Sequence, residues 1–448
     1  MVNPVILWLR QDLRLHDQPA LVSAAQAGPV IPVYVLDDEA PGRWRMGAAQ
    51  RWWLHHALNA LGEALAAKGS RLILRRGSAV RELQKLADET GASAIHAIRH
   101  YEPWWIDAEE KLGERLCLHD GNHLAPLRDV TTGSGGQFKI YSAFWRALSE
   151  RMPPEKPLPV PHSLPAPDHW PSSEKLSGWD LLPTNPNWAT GFAPDWTPGE
   201  AEALRKAKDF AEEVGDYPAR RDMPAVEGTS RLSPHLHFGE ISPRSLWHAL
   251  GSGANAAKFH KELAWRDFTS SLLLAMPDYG DRNGRPAFDK LKWRKSAADL
   301  KAWQQGCTGY PIVDAGMRQL WTTGWMHNRV RMIAASFLIK HLLIDWREGE
   351  RWFWDTLVDA DYGNNSVNWQ WVAGTGVDSN MWGRIMAPLG QSEKFDAGDY
   401  IRQWVPELRD VSDAQIHDPE DRPNGYPEKI IGHREARERA LAAGRAIR

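Results

Sequence analysis

Cysteine is almost missing from this chain: Cys117 and Cys307 are the two in 448 residues. Two thiols exclude a disulfide framework, a four-cysteine iron–sulfur cluster and an ordinary structural zinc site, and they suit a reducing, cytoplasmic compartment. No run of about 18 uncharged apolar residues occurs, so neither a transmembrane helix nor a membrane partner is expected. Met1 to Arg10 passes from a short apolar run straight into charge, which is not a signal-peptide layout. A large excess of one charge is lacking too. The formal net charge is −3, so a nucleic-acid partner must be met by a local basic patch. Phenylalanine and tyrosine are sparse, 11 and 9, whereas tryptophan reaches 24. An indole is awkward core filler because its N–H wants a partner when buried. The excess points to an aromatic-rich core, a stacking surface or chemistry that uses indoles.

The first 130 residues alternate strand and helix signals. Apolar runs at Val5–Leu9, Val30–Leu36, Arg71–Leu74, Ala94–Ile98 and Leu116–Leu118 read as five strands. Helical periodicity fills Gln18–Ala27 and Met46–Lys68 between them. Strands separated by helices predict a doubly wound, Rossmann-like parallel sheet, which binds ligands at its strands' carboxyl ends. The glycine-rich dinucleotide fingerprint is absent after the first strand, where Arg10-Gln11-Asp12-Leu13-Arg14 stands instead. Residues 153–198 hold 12 of the 31 prolines, too many for regular helix or sheet. From Glu200 onward the pattern is helical. The predicted organisation is an α/β domain at 1–130, a connection at 131–199 that packs through Trp170, Trp179, Trp188 and Trp196, and an all-α domain at 200–448 that ends in a solvated helix or tail at Glu435–Arg448.

Four segments carry chemistry. In Gly228–Leu236, Thr229, Ser230, Arg231 and Ser233 gather hydroxyls and a guanidinium at a helix start, a set that suits a diphosphate and equally an ordinary helix cap. In Gly324–Met332, His327 and Arg331 are expected on one helix face, with Asp359 and Asp361 as candidate partners in a site or in a structural ion-pair network. Asp359–Trp371 packs two carboxylates, three asparagines and two tryptophans into thirteen residues. Trp369 and Trp371, two apart, share a face if the backbone is strand or loop. Glu262, Trp265 and Arg266 project together from a helix, as a stacking and phosphate-clamping set or as one buried indole beside a salt bridge.

Together with Ile6–Arg14 followed by Asp17, with Thr308–Arg351 and with Glu393–Asp396, these segments resemble the photolyase/cryptochrome flavoprotein family over essentially the whole chain. The resemblance is strongest to bacterial-type cyclobutane pyrimidine dimer photolyases. It implies a cytoplasmic, monomeric lyase whose reduced FAD donates an electron to a flipped-out dimer in UV-damaged DNA. A blue-light photoreceptor of the cryptochrome kind is the alternative. By the same resemblance, Tyr217, Thr229, Ser230, Arg231, Leu232 and Ser233 hold the FAD phosphates and ribityl chain. Asn328, Arg331, Asp359, Asp361 and Asn365 lie about the isoalloxazine. Trp369, Trp346 and Trp293 form an electron relay. Arg221, Glu262, Trp265, Arg266, Asn328, Arg329, Met332 and Trp371 face the lesion, and Glu262, Asn328 and Asn365 are also catalytic, as are the three relay indoles. No metal is implied. Met381–Pro388 departs from the usual pattern of the family. So does the indole-rich antenna region, where Trp44, Trp52 and Glu102 are the candidates to hold a second chromophore, methenyltetrahydrofolate in preference to a deazaflavin.

Overall fold

Residues 3–379 and 381–447 are described by a computed structural model. Five parallel strands, β1 (Val5–Leu9), β2 (Val30–Leu36), β3 (Ile73–Arg76), β4 (Ile95–Ile98) and β5 (Leu116–His119), are ordered β3-β2-β1-β4-β5. β1 is central, with Val5 opposite Val30 on one side and Ile6 opposite Ile95 on the other. Every residue of β1 and β2 is buried, which is why these strands read as unbroken apolar runs rather than alternating ones. Helices Pro19–Ala27, Ala48–Ala66, Ala79–Thr90 and Pro103–Leu112 supply the crossovers. β3 begins two residues later than its apolar run, because pairing with β2 starts only where Ile73 meets Val33.

The carboxyl end of β1 is closed by charge. The Arg10 guanidinium lies 4.0 Å over Trp8 and pairs with Glu109 at 2.9 Å. Arg14 is fully buried and donates to Asn122 Oδ1 (2.8 Å) and to the carbonyls of Gly121 (3.0 Å) and Gly239 (2.9 Å). Gly239 has φ +64°, and a Cβ there would stand 2.1 Å from the Gln11 carbonyl oxygen, so no other residue fits. The segment that replaces the glycine-rich fingerprint is therefore a structural knot.

The chain divides into two compact units. The first holds the described residues up to Trp188, Trp196–Gly215 and Ser230–Pro277. The second holds Ala189–Asp195, Asp216–Thr229 and everything from Asp278 onward. This partition differs from the boundaries read at 130 and 199, because helices Glu200–Glu213 and Ala257–Ala275 fall in the first unit. Packing, which composition does not report, decides it. The connection read at 131–199 contains a helix, Tyr141–Ser149, and its proline-rich part holds only the short turn of helix Leu176–Trp179. Of its four indoles, Trp179 and Trp196 are buried and Trp170 and Trp188 are half-buried. Trp179 is buried and donates to Glu174 (2.7 Å), and the Trp196 ring lies 5.5 Å from Trp53.

Among the described residues, none after His119 is strand. The second unit is built on helices Pro311–Thr323, Asn328–Ser336, Trp346–Thr356, Tyr362–Ala373 and His433–Arg445. The last realises the expected terminal helix, with Arg448 outside the described residues. It is held by a histidine pair: His341 Nε2 and His433 Nδ1 are 2.8 Å apart, and Arg439 donates to the His341 carbonyl. Burial, then the neighbouring His433 and Arg439, push the His341 pKa from 6.5 down to about 3. The folded state thus keeps this ring neutral while the unfolded chain protonates it near 6.5. Its contribution to stability is lost as pH falls below about 6.5, by up to about 1.4 kcal/mol per pH unit. Thermal melts at pH 7.5 and 5.0 should therefore show a smaller pH-dependent loss in His341→Asn than in the unsubstituted chain. Equal losses sink this assignment.

Candidate functional site

Helix Tyr362–Ala373 and the segment before it organise the second unit's polar cluster. Asp361 caps the helix, its Oδ1 accepting from Asn364 N–H at 2.7 Å, and one turn later Asn365 donates from Nδ2 to the Glu350 carbonyl at 3.1 Å. Residues 361 and 365 share a helix face. Asp359 receives both arms of Arg331, at 3.0 and 2.8 Å, while Arg331 Nε donates to the Met326 carbonyl at 2.7 Å. The expected Arg331–Asp359 pair is therefore formed as a two-pronged bridge, and Asp359, Asp361 and Asn365 are all buried. His327 stands one helical turn before Arg331, whose N–H donates to the His327 carbonyl at 3.0 Å. It is the N-cap of helix Asn328–Ser336 and accepts from Arg329 N–H at 3.2 Å. Burial pushes its pKa down to about 4, which keeps the ring neutral and able to accept.

Trp369 and Trp371 do not share a face. Both lie in helix Tyr362–Ala373, where residues two apart project about 200° from each other. Trp369 is buried against Phe353 (4.9 Å) and Trp303 (6.3 Å), whereas Trp371 is partly exposed. The backbone at Gly349 runs directly against the Trp369 indole: a Cβ there would stand 2.1 Å from Cη2. Trp346 is fully buried, donates to Asn283 Oδ1 at 3.0 Å and has the Arg347 guanidinium 4.5 Å from its ring. Trp293 is partly exposed, 6.0 Å from Trp382. The three expected relay indoles thus range from deep burial to partial solvent contact.

A second group of side chains surrounds Asp222. Arg329 pairs with Asp222 at 2.9 Å, Arg221 Nε lies 3.6 Å from the same carboxylate, and the Arg221 guanidinium is 5.2 Å from the buried Tyr217 ring. Arg329 also reaches Met332 Sδ at 3.7 Å and lies 4.4 Å from the Phe395 ring. Asn328 is exposed at the start of its helix. Arg221 and Arg329 are therefore brought together by a carboxylate that the sequence reading did not single out, and Met332 joins them through Arg329. The carboxylate's one local signal is its place beside Arg221. Thr229 closes the short stretch that belongs to this unit.

The first unit carries the other candidates. Helix Ser233–His237 is a single turn, so the dipole expected at Ser230–Ser233 is slight. Leu232 is fully buried and shapes the turn, while Ser230 Oγ accepts from Leu232 N–H at 3.3 Å. Arg231 adopts φ +50°, uncommon for a residue with a Cβ, with its guanidinium 4.5 Å from the Trp196 ring. On helix Ala257–Ala275, Glu262 is partly exposed 3.5 Å from Lys258, and Trp265 lies flat on Tyr141. Arg266 is turned to the backbone, donating to the carbonyls of Asn122 and Leu236. Its neighbour Asp267 is fully buried, accepts from Leu124 N–H at 2.8 Å, and has its pKa pushed up by burial to about 7.

Donors in each unit suit FAD: in the first, the hydroxyls and guanidinium of Ser230–Ser233 suit a diphosphate; in the second, the buried Asp361 and Asn365, one helical turn apart, suit the N–H and C=O edge of a flavin ring. For the antenna, Trp44 and Trp52 are buried, Trp52 4.5 Å from His56, with Arg43 5.3 Å from Trp44. Glu102 is buried after β4, where Tyr101 N–H donates to it at 3.1 Å.

Two family profiles match this chain: one described as DNA photolyase over residues 5–165, and one described as the FAD binding domain of DNA photolyase over 259–446. A deoxyribodipyrimidine photo-lyase of Agrobacterium fabrum is 48% identical, over 99% of this chain and 98% of its own length. A bacterial class III photolyase from Agrobacterium tumefaciens superposes with a TM-score of 0.95 at 47% identity, covering 100% of this chain and 98% of that one. An archaeal photolyase from Sulfolobus tokodaii, solved with two FAD molecules, gives 0.85 at 31% identity, covering 99% and 100%.

Proposed function

The chain belongs to the DNA photolyase family, and from that premise we infer a light-driven lyase that splits cyclobutane pyrimidine dimers in DNA. The observation that carries this reading is full-length similarity, 48% identity over 99% of the chain, to a curated photo-lyase. Bound FAD supplies the photochemical electron for ring opening. The chain's own residues bind, orient and relay. Arg331 and Asp359, locked by two hydrogen bonds, hold one wall of the flavin site rigid, and Asp361 and Asn365 present an acceptor and an amide from one helix face. Trp265 and Trp371, both partly exposed, stack on the flipped bases, while Arg221 and Arg329 meet phosphate. Glu262 hydrogen-bonds a pyrimidine edge, and Asn328 lies at the flavin–lesion boundary. Trp293, Trp346 and Trp369 pass an electron inward from solvent. Illuminating the purified holoenzyme with dimer-containing oligothymidylate tests the reading: absorbance in the thymine band should recover. A preparation that photoreduces yet leaves every dimer intact overturns repair in favour of photoreception.

The antenna is proposed to be methenyltetrahydrofolate in the first unit. Indoles at Trp44 and Trp52 beside Arg43 and His56 support it, since they suit a flat pteridine with an acidic tail. Acid extraction and mass analysis of the holoenzyme should release a folate besides FAD. A deazaflavin, or a second equivalent of FAD, overturns it.

A further inference from the structure

Trp265 is not a lone indole on a helix. The Tyr141 ring lies parallel to it, with centroids 3.7 Å apart and planes 6° from coplanar. The Tyr141 hydroxyl donates at 2.7 Å to the carbonyl of Lys261, one helical turn before Trp265. That carbonyl is the one expected to accept the Trp265 backbone N–H in a regular helix. Tyr141 is thus fastened at both ends to the element that carries Trp265. Phe268 presents an edge to both rings, at 5.8 and 5.6 Å, and Phe144 lies 5.5 Å from Phe268.

We propose that Tyr141 is a positioning residue for lesion recognition: it occupies one face of Trp265 and fixes the plane of the indole, so that a flipped pyrimidine dimer stacks on the opposite face alone. The proposal rests on Trp265 being a lesion platform. A base–aromatic contact is tolerant of sequence, because every base has a π-face. Discrimination of damage then depends on holding that face at one angle, complementary to a pair of covalently joined pyrimidines. An indole free to rotate about its two side-chain torsions must be ordered on binding, whereas one already held flat against a neighbouring ring is not. The helix that supplies Tyr141 lies in the segment read as a mere connection, between the sheet and the helical region.

The test measures equilibrium binding of holoenzyme to a dimer-containing oligonucleotide and to its undamaged counterpart, and then kcat and KM for repair. Tyr141→Ala should weaken lesion binding by about tenfold, the scale of one stacking contact, and leave undamaged binding within about twofold. KM should rise with kcat at saturating DNA unchanged, and the visible FAD absorbance should match the parent. Tyr141→Phe keeps the ring and should restore most of the affinity. If Tyr141→Ala does not fold, Tyr141→Leu, which keeps bulk without a flat face, is judged by the same constants. Trp265→Ala separates the two layers of the argument. Intact discrimination in that variant overturns the platform reading. Lost discrimination there together with unchanged discrimination in Tyr141→Ala, or equal losses in the Ala and Phe variants, overturns the role of Tyr141.

Discussion

Replacing Asp359 by alanine should strip the purified protein of its visible flavin absorbance and lower its stability by about 3 kcal/mol. The expectation follows from geometry. Asp359 takes both arms of Arg331, and its side chain is 3% exposed against 23% for the arginine. A surface pair of this kind contributes little, but removing one member of a buried pair strands the other charge in a poorly solvated site. Arg331 also holds the Met326 carbonyl, so its displacement disturbs the turn leading into helix Asn328–Ser336. Asp359→Asn, which preserves shape and one acceptor, should lose less on both counts. Urea unfolding of each variant, with flavin content read from the ratio of visible to protein absorbance, decides it. Full flavin content and unchanged stability in Asp359→Ala sink the claim.

The strands of the sheet were legible because strands buried on both faces leave uninterrupted apolar runs, and Val5–Leu9 and Val30–Leu36 coincide with the structure to the residue. Buried charge demands a partner, which made Asp359 and Asp361 candidates for Arg331, and the family resemblance pointed to Asp359, the one the structure pairs. What failed was what depends on tertiary placement. Trp369 and Trp371 would be neighbours on one face only in strand or loop backbone, and local composition did not decide the backbone. The capping of Tyr362–Ala373 by Asp361 makes that stretch helix and sends the two indoles opposite ways. Arg266 looked like a solvated clamp, yet its guanidinium is turned onto carbonyls that lie 30 and 144 residues away in the chain. Asp222, Asn283 and Tyr141 act through partners far away along the chain, Arg329, Trp346 and Trp265. No local pattern reports such contacts.

Trp369→Phe should slow light-driven reduction of the bound chromophore on the order of 100-fold, equivalent to about 2.7 kcal/mol of barrier. Phenylalanine stacks where tryptophan did but is far harder to oxidise, so the substitution removes the redox step and keeps most of the packing. The site tolerates the change in shape: Phe353 at 4.9 Å and Trp303 at 6.3 Å continue to enclose the smaller ring, and the indole N–H is exchanged for no new buried polar group. Trp346→Phe should give a similar block with a larger loss of stability, since it also abandons the bond to Asn283. Both variants, reduced chemically in the dark and then illuminated with dimer-containing DNA, should repair within about twofold of the parent, because on the proposed reading these indoles only deliver electrons to the flavin and do not contact the lesion. Loss of repair under those conditions assigns Trp369 to the architecture of the site instead. Unimpaired photoreduction in Trp369→Phe sends the electron by a route that bypasses this indole.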